Sequence, residues 1–319
     1  MKAIIFEKDF ENSAVADIDE PVRLPHQDIL NVKAVGICQS DVSRVFNQSA
    51  YYYPITLGHE FAGYVDGRDM KATVYPIIPC GTCNECKKEN YAQCKNYSYY
   101  GSRQNGGMQE RLAVNTWNLI PNKVLSYEEL ALIEPSAVAM NAFNHIPKDA
   151  ETILLNGCGF ISLVTAQILI ANHKRVYIRN RNQAKLKFAL DNFELEKYED
   201  QHVDCVVDFV SNSNSINYCI HHVKPHGTII AVGNPSGEVQ IDKCNYSNIL
   251  RKELNIKGIW NSRREDWIST INMIECGLLN VSKLITHRYD FLEFKKAFEV
   301  IRNNQLNPEN CVIKSMLLF

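Results

Sequence analysis

The chain has 319 residues, 45% of them hydrophobic and 22% charged, which suits a globular protein long enough for two cores. A formal net charge of −2 leaves no broad basic field for nucleic acid, and no run reaches the ~18 uninterrupted apolar residues of a membrane span. Residues 3–6 are the only apolar run before charges set in, so no secretory leader is expected and the expected location is cytoplasmic.

The first third is predicted to form short strands at residues 3–6, 29–35 and 61–65, separated by Pro, Gly and Asp. From about Tyr127 the pattern changes: one helix over 130–143, a buried strand at 153–155, a glycine turn, and a helix over 161–171. Strands at 176–178, 205–207 and 228–232, with a helix over 183–191, continue the alternation and predict a parallel sheet covered by helices. A helix over 291–303 and a strand over 312–316 close the pattern.

Cys80, Cys83, Cys86 and Cys94 have the spacing C-x2-C-x2-C-x7-C. Two-residue gaps let neighbouring sulfurs converge on one tetrahedral ion, so the cluster predicts a closed structural zinc site. A disulfide cluster is the alternative, but it belongs to oxidising compartments and small secreted chains.

A second constellation is more open. Cys38, three residues before Asp41, and the pair His59-Glu60 offer sulfur, imidazole and carboxylate, a donor set that suits zinc with a position left for water or substrate. Glu134, within Ile133-Glu134-Pro135, is a candidate fourth, exchangeable ligand or hydrogen-bond partner, and Asp41 a candidate for orienting His59. Each residue alone has a structural explanation; their joint presence beside a four-cysteine cluster favours the metal.

Gly157-Cys158-Gly159-Phe160-Ile161-Ser162 follows an apolar strand and opens a helix, matching G-x-G-x-x-G with Ser in the last place. Gly157, Gly159, Phe160 and Ile161 are therefore candidate dinucleotide contacts at a helix N-terminus, and Val232 and Gly233 are candidates at a later strand end. The acidic residue that would hold an adenine ribose is replaced by Arg179-Asn180-Arg181. Arg181 beside Asn180 favours NADP through its 2′-phosphate, and NAD held by Asn180 is the alternative.

Taken together, Gly36-Ile37-Cys38-Gln39-Ser40-Asp41, Gly58-His59-Glu60, the four-cysteine lobe, Ile133-Glu134-Pro135 and the glycine turn resemble, in order, the zinc-dependent medium-chain dehydrogenases of the polyol dehydrogenase branch. The resemblance implies an α/β chain. A GroES-like, partly open β-barrel catalytic domain would occupy residues 1–125, with the zinc lobe at about 80–94. A Rossmann-type doubly wound parallel sheet would occupy 126–270, and residues 271–319 would return to the catalytic domain. It further implies two zinc ions per subunit, NAD or NADP as cofactor, a polyol or polyol phosphate as substrate, and a homodimer or homotetramer. Zinc at Cys38, His59 and the Glu60 or Glu134 carboxylate would polarise a substrate hydroxyl, and hydride would pass to the nicotinamide. Ser40 is a candidate proton relay or a local turn cap, and Ser43 stands where some relatives carry a relay histidine. Arg44 and Arg103 are candidates for gripping a substrate phosphate. A simple alcohol dehydrogenase and a zinc-stabilised nucleotide-binding or regulatory protein without turnover are the competing readings. The chain is short between Val65 and Val74 and between Asp191 and Val203, where an element of the cofactor domain is expected to be trimmed.

Overall fold

The computed structural model describes residues 1–307 and 309–319, with the side chains of Gln305 and Leu306 left aside. The run Thr152–Asn156 is almost wholly buried, which suits a strand covered on both faces, and it forms the centre of a six-stranded parallel sheet. The strand order is Glu196–Lys197, Arg175–Arg179, Thr152–Asn156, Val203–Asp208, Val223–Ala231, Asn255–Gly258. The winding direction reverses between Thr152–Asn156 and Val203–Asp208, opening a crevice at the carboxyl ends of the strands where ligands bind in sheets of this kind. The trimmed segment still supplies an edge strand, Glu196–Lys197, reduced to a two-residue pairing with Tyr177 and Ile178.

The other large sheet has seven strands. Gln27–Gly36 pairs antiparallel with Glu60–Val65, Arg111–Asn115 and Lys314–Leu318, and the last of these pairs in parallel with Ile285–Asp290. Both the early and the late chain therefore build this partly open barrel. The shortened stretch after Val65 is a tight connection to Lys71–Val74, with Gly67 in the left-handed region at φ +67°.

The helix expected over 130–143 is corrected: it is two helices, Tyr127–Ala131 and Ile133–Asn144. Ser126 and Glu129 cap the first reciprocally, and the chain kinks at Leu132, whose carbonyl accepts from Ser136 Oγ at 2.6 Å. Pro135 sits in the first turn of the second helix, where a missing N–H costs nothing. Ile133–Asn144 packs on Phe160–Ala171 and Arg264–Glu275, while Glu134 near its start faces the barrel. Tyr75, from the barrel side, donates its hydroxyl to the Ser262 carbonyl at 3.1 Å, and Trp267 Nε1 donates to Ser262 Oγ at 2.9 Å, tying the two sheets' layers together.

Candidate active site and zinc lobe

Cys38 caps the helix Gln39–Phe46, placing its sulfur at the mouth of the barrel. Gly36, just before it, has no room for a side chain: a Cβ would meet Glu60 Oε2 at 2.1 Å. His59 and Glu60 come from the facing end of the paired strand, in the Gly36–Glu60 register. Donor atoms of Cys38, His59 and Glu60 consequently lie within 4.8 Å of one another, a sulfur, nitrogen and oxygen set that fits zinc. Asp41 Oδ1 stands 3.3 Å from His59 Nδ1, in ion-pair range, so the other ring nitrogen is left for the metal. Burial alone would raise the Asp41 pKa; His59 and then Arg44 outweigh it and hold the carboxyl below its ordinary value.

Glu134 is not a member of that three-donor group. Its Oε1 accepts from the Tyr99 hydroxyl at 3.0 Å, and burial, with the Glu60 charge adding to it, pushes its pKa up to about 7. Glu60 faces Lys314, whose Nζ lies 2.8 Å from both carboxylate oxygens. Tyr99, Asn261 and Lys314 were not singled out from the sequence, because each reaches the site through long-range pairing that no local motif records.

Arg44 is turned inward: its Nη1 donates to Ser40 Oγ at 2.8 Å and to Asp41 Oδ1 at 3.3 Å. Arg103 donates to the Tyr97 carbonyl at 2.7 Å, with its guanidinium over the rings of Tyr97 at 4.1 Å and Tyr51 at 5.2 Å.

In the lobe, Cys83 and Cys86 sulfurs are 3.5 Å apart and Cys80 and Cys86 sulfurs 3.9 Å apart. A tetrahedron of Zn–S bonds of ~2.3 Å has edges of about 3.8 Å, so the four thiols are spaced for one ion. All eleven cysteines are free. Backbone N–H groups of Thr82 and Cys83 pull Cys80 down to about 6, whereas burial pushes Cys86 up to about 12. Four neighbouring thiolates need a cation to ionise together.

The glycine turn lies at the crevice of the parallel sheet. Gly157 has φ +116°, while a Cβ on Gly159 would meet nothing within 4 Å, leaving backbone open to a pyrophosphate at the N-terminus of Phe160–Ala171. Ser162 does more than tolerate the third glycine place: it is buried and donates to the Gly157 carbonyl at 2.8 Å, bracing the turn. Phe160 lies under Lys314 Nζ at 4.8 Å, and Ile161 is half-buried beside it. Asn156, Gly157, Arg179, Asn180, Arg181 and Tyr218 line much of a cavity of about 230 Å³. Arg179 is already engaged, donating to Asn156 Oδ1 at 2.8 Å and stacking over Tyr218 at 3.4 Å, whereas Arg181 is exposed. Val232 and Gly233 both donate backbone N–H to the Asp208 carbonyl, at 2.9 and 3.2 Å, at the edge of the same crevice.

Three donors that fit a metal, in a barrel whose Lys314 reaches Phe160 beside a glycine turn open to a phosphate, make up the arrangement of a metal-dependent nucleotide oxidoreductase. Residues 25–124 match the alcohol dehydrogenase GroES-like domain and residues 161–275 the zinc-binding dehydrogenase domain, and the chain belongs to the zinc-dependent medium-chain dehydrogenases. It is similar to galactitol 1-phosphate 5-dehydrogenase of Escherichia coli K12, at 29% identity over 92% of this chain and 97% of the relative. The crystal structure of galactitol-1-phosphate dehydrogenase from Escherichia coli superposes with a TM-score of 0.91 at 26% identity, covering 100% of both chains. The same fold is seen in an alcohol dehydrogenase from E. coli CFT073 complexed with NADH (TM-score 0.88, 23% identity, 100% of this chain and 99% of that one). It recurs in a zinc-binding dehydrogenase from Sinorhizobium meliloti 1021 bound to NADP (TM-score 0.86, 21% identity, 100% and 99%). No helix among the described residues is long and apolar enough to cross a membrane.

Proposed function

We propose that this oxidoreductase interconverts a secondary alcohol of a polyol or polyol phosphate, of the galactitol-1-phosphate kind, with the corresponding ketose or ketose phosphate. The convergence of Cys38, His59 and Glu60 within 4.8 Å beside a dinucleotide turn carries the reading. Cys38, His59 and Glu60 would hold a zinc ion, which would supply a Lewis acid for the substrate oxygen. Cys38 and His59 bring the fixed donors, Asp41 orients His59, and Lys314 balances Glu60. A nicotinamide bound at the glycine turn would supply the hydride acceptor, and the hydroxyl proton would leave through Ser40 to solvent, since the Ser40 oxygen accepts from Arg44 and its own proton is thereby directed elsewhere.

Arg44 and Arg103 are each engaged through Nη1, Arg44 with Ser40 and Asp41 and Arg103 with the Tyr97 carbonyl, so either would meet a substrate phosphate with its remaining guanidinium N–H groups. NADP is the favoured nucleotide: no carboxylate stands at Asn180, and exposed Arg181 borders the cavity. The domain division at about residues 125 and 270 belongs to the same reading.

A homodimer is proposed through the sheet edge Asn255–Gly258. All four of its residues are exposed, the neighbouring helix Lys243–Arg251 buries none of its own, and Tyr246, Leu250, Ile256 and Trp260 stand in solvent around them.

The test is a matched assay of galactitol and galactitol 1-phosphate with NAD+ and NADP+. A higher kcat/KM for the phosphate is expected; equal turnover of both polyols overturns the phosphate assignment, and no oxidation of either overturns the substrate class.

A further inference from the structure

Tyr99 sits where the zinc lobe meets the cleft, on the short strand Ser98–Tyr99, with its ring 5.7 Å from that of His59. Its hydroxyl has two partners, Glu134 Oε1 at 3.0 Å and Asn261 Nδ2 at 3.3 Å. The sense of both bonds follows from a third. Asn261 Oδ1 accepts the Ser262 backbone N–H at 2.9 Å, which fixes the amide so that its NH2 faces Tyr99. Asn261 therefore donates to the phenol oxygen, and the phenol proton is left for Glu134.

The clamp is anchored on both sides. Asn261 holds φ +58°, and its carbonyl accepts from Asn141 Nδ2 at 2.8 Å. Asn141 lies seven residues after Glu134 on the helix Ile133–Asn144, two turns along the same face. One helix thus supplies both the carboxylate that Tyr99 holds and the amide that steadies Tyr99's second partner. Glu134 itself is 5% exposed, close enough to His59, Glu60 and Lys314 to feel their charges, yet outside the three-donor group.

We infer that Tyr99 is a positioning residue that holds the Glu134 carboxylate beside the Cys38–His59–Glu60 metal site and keeps it from becoming a resting ligand. Removing the phenol oxygen leaves a buried carboxylate without its donor, and since Lys314 is already paired with Glu60, a metal held by the three donors is the cation it would turn to.

The experiment uses zinc-loaded protein and follows zinc release to a chromogenic chelator, with the four-cysteine zinc as the internal reference. It does not depend on which alcohol is the substrate, so its failure is distinct from failure of the proposed function, although it rests on zinc occupying this site. Tyr99→Phe should release the active-site zinc about 10-fold more slowly than the parent, within the range for residues that support metal ligands. Glu134→Gln alone should stay within about twofold of the parent, and the Tyr99→Phe slowing should vanish when Glu134→Gln is added. A purely architectural role for Tyr99 would loosen the zinc. Unchanged or faster release from Tyr99→Phe, or a slowing that survives Glu134→Gln, overturns the assignment; the Glu134→Gln result does so on its own if release accelerates about 10-fold, since Glu134 is then already a ligand.

Discussion

Lys314 Nζ stands 2.8 Å from each carboxylate oxygen of Glu60, and 254 residues of chain separate the two. Both side chains are buried, so each charge is the other's main compensation: burial would lower the Lys314 pKa, and Glu60 more than restores it. Lys314→Met should leave Glu60 uncompensated and cost about 3–5 kcal/mol, as breaking a buried pair does. Denaturant unfolding with a chelator present measures this, and a midpoint equal to the parent's would refute it.

Loss of one lobe thiol should cost one metal ion. Cys83→Ser removes the sulfur that accepts from the Cys86 N–H and neighbours the Cys86 sulfur at 3.5 Å. Elemental analysis should fall from two zinc ions per chain to one, with protease cleavage appearing within residues 80–94. Two ions retained in the variant would show that the lobe is not a separate site.

Cofactor choice should respond to two adjacent positions. Arg181→Ala is expected to weaken NADPH about 10-fold or more, the worth of a charge-assisted hydrogen bond, while NADH stays within about twofold. Asn180→Asp should tighten NADH and weaken NADPH. Fluorescence titration reads both, and equal losses for the two nucleotides in Arg181→Ala would remove Arg181 from the 2′-phosphate.

Asp204 gives an acid-stability prediction. It accepts from Lys224 Nζ and Thr152 Oγ1, both at 2.7 Å, and from the backbone N–H groups of Thr152 and Glu151 at 2.8 and 3.1 Å. Burial alone would raise its pKa, but these donors hold it well below the ordinary carboxyl value. A depressed native pKa stabilises fully above the unfolded value of about 3.9 and is lost as pH falls through the native one. Asp204→Asn should therefore cost about 1–3 kcal/mol at pH 7, and its deficit should shrink below about pH 4. A deficit constant from pH 7 to pH 3 would exclude the charge as its source.

The exposed edge strand predicts a concentration-dependent dimer. Ile256→Lys places a charge in the middle of that edge, and sedimentation should shift from dimer to monomer. An unaltered dimer would move the interface elsewhere.

What the sequence made legible is what local spacing encodes. The four cysteines span few residues, and the glycine turn is bounded by a strand and a helix whose burial patterns are distinct, so their chemistry follows from neighbours in the chain. Cys38 and His59-Glu60 were recognisable because each sits in a short motif, although the register that joins them is a sheet property. Lys314, Tyr99 and Asn261 were not legible: a lysine in an apolar strand, a tyrosine among tyrosines and an asparagine in a loop carry no signal until the fold brings them to a carboxylate. The break at Leu132 was missed for a related reason, since apolar periodicity runs straight through it and the Ser126–Glu129 cap marks only where the first helix starts. Arg44 shows the converse: its position in the helix after Cys38 suggested a ligand grip, whereas the fold turns its guanidinium onto Asp41, one residue removed from the metal.

Because the strand Lys314–Leu318 is inserted between Ile285–Asp290 and Gln27–Gly36, the metal pocket is finished by residues translated long after its donors. A nascent chain that has emerged only as far as the dinucleotide sheet presents Cys38, His59 and Glu60 without Lys314 behind them. Zinc arriving during synthesis would meet the four-cysteine lobe as a self-contained site encoded within fifteen consecutive positions, so the two ions are expected to load in order, lobe first.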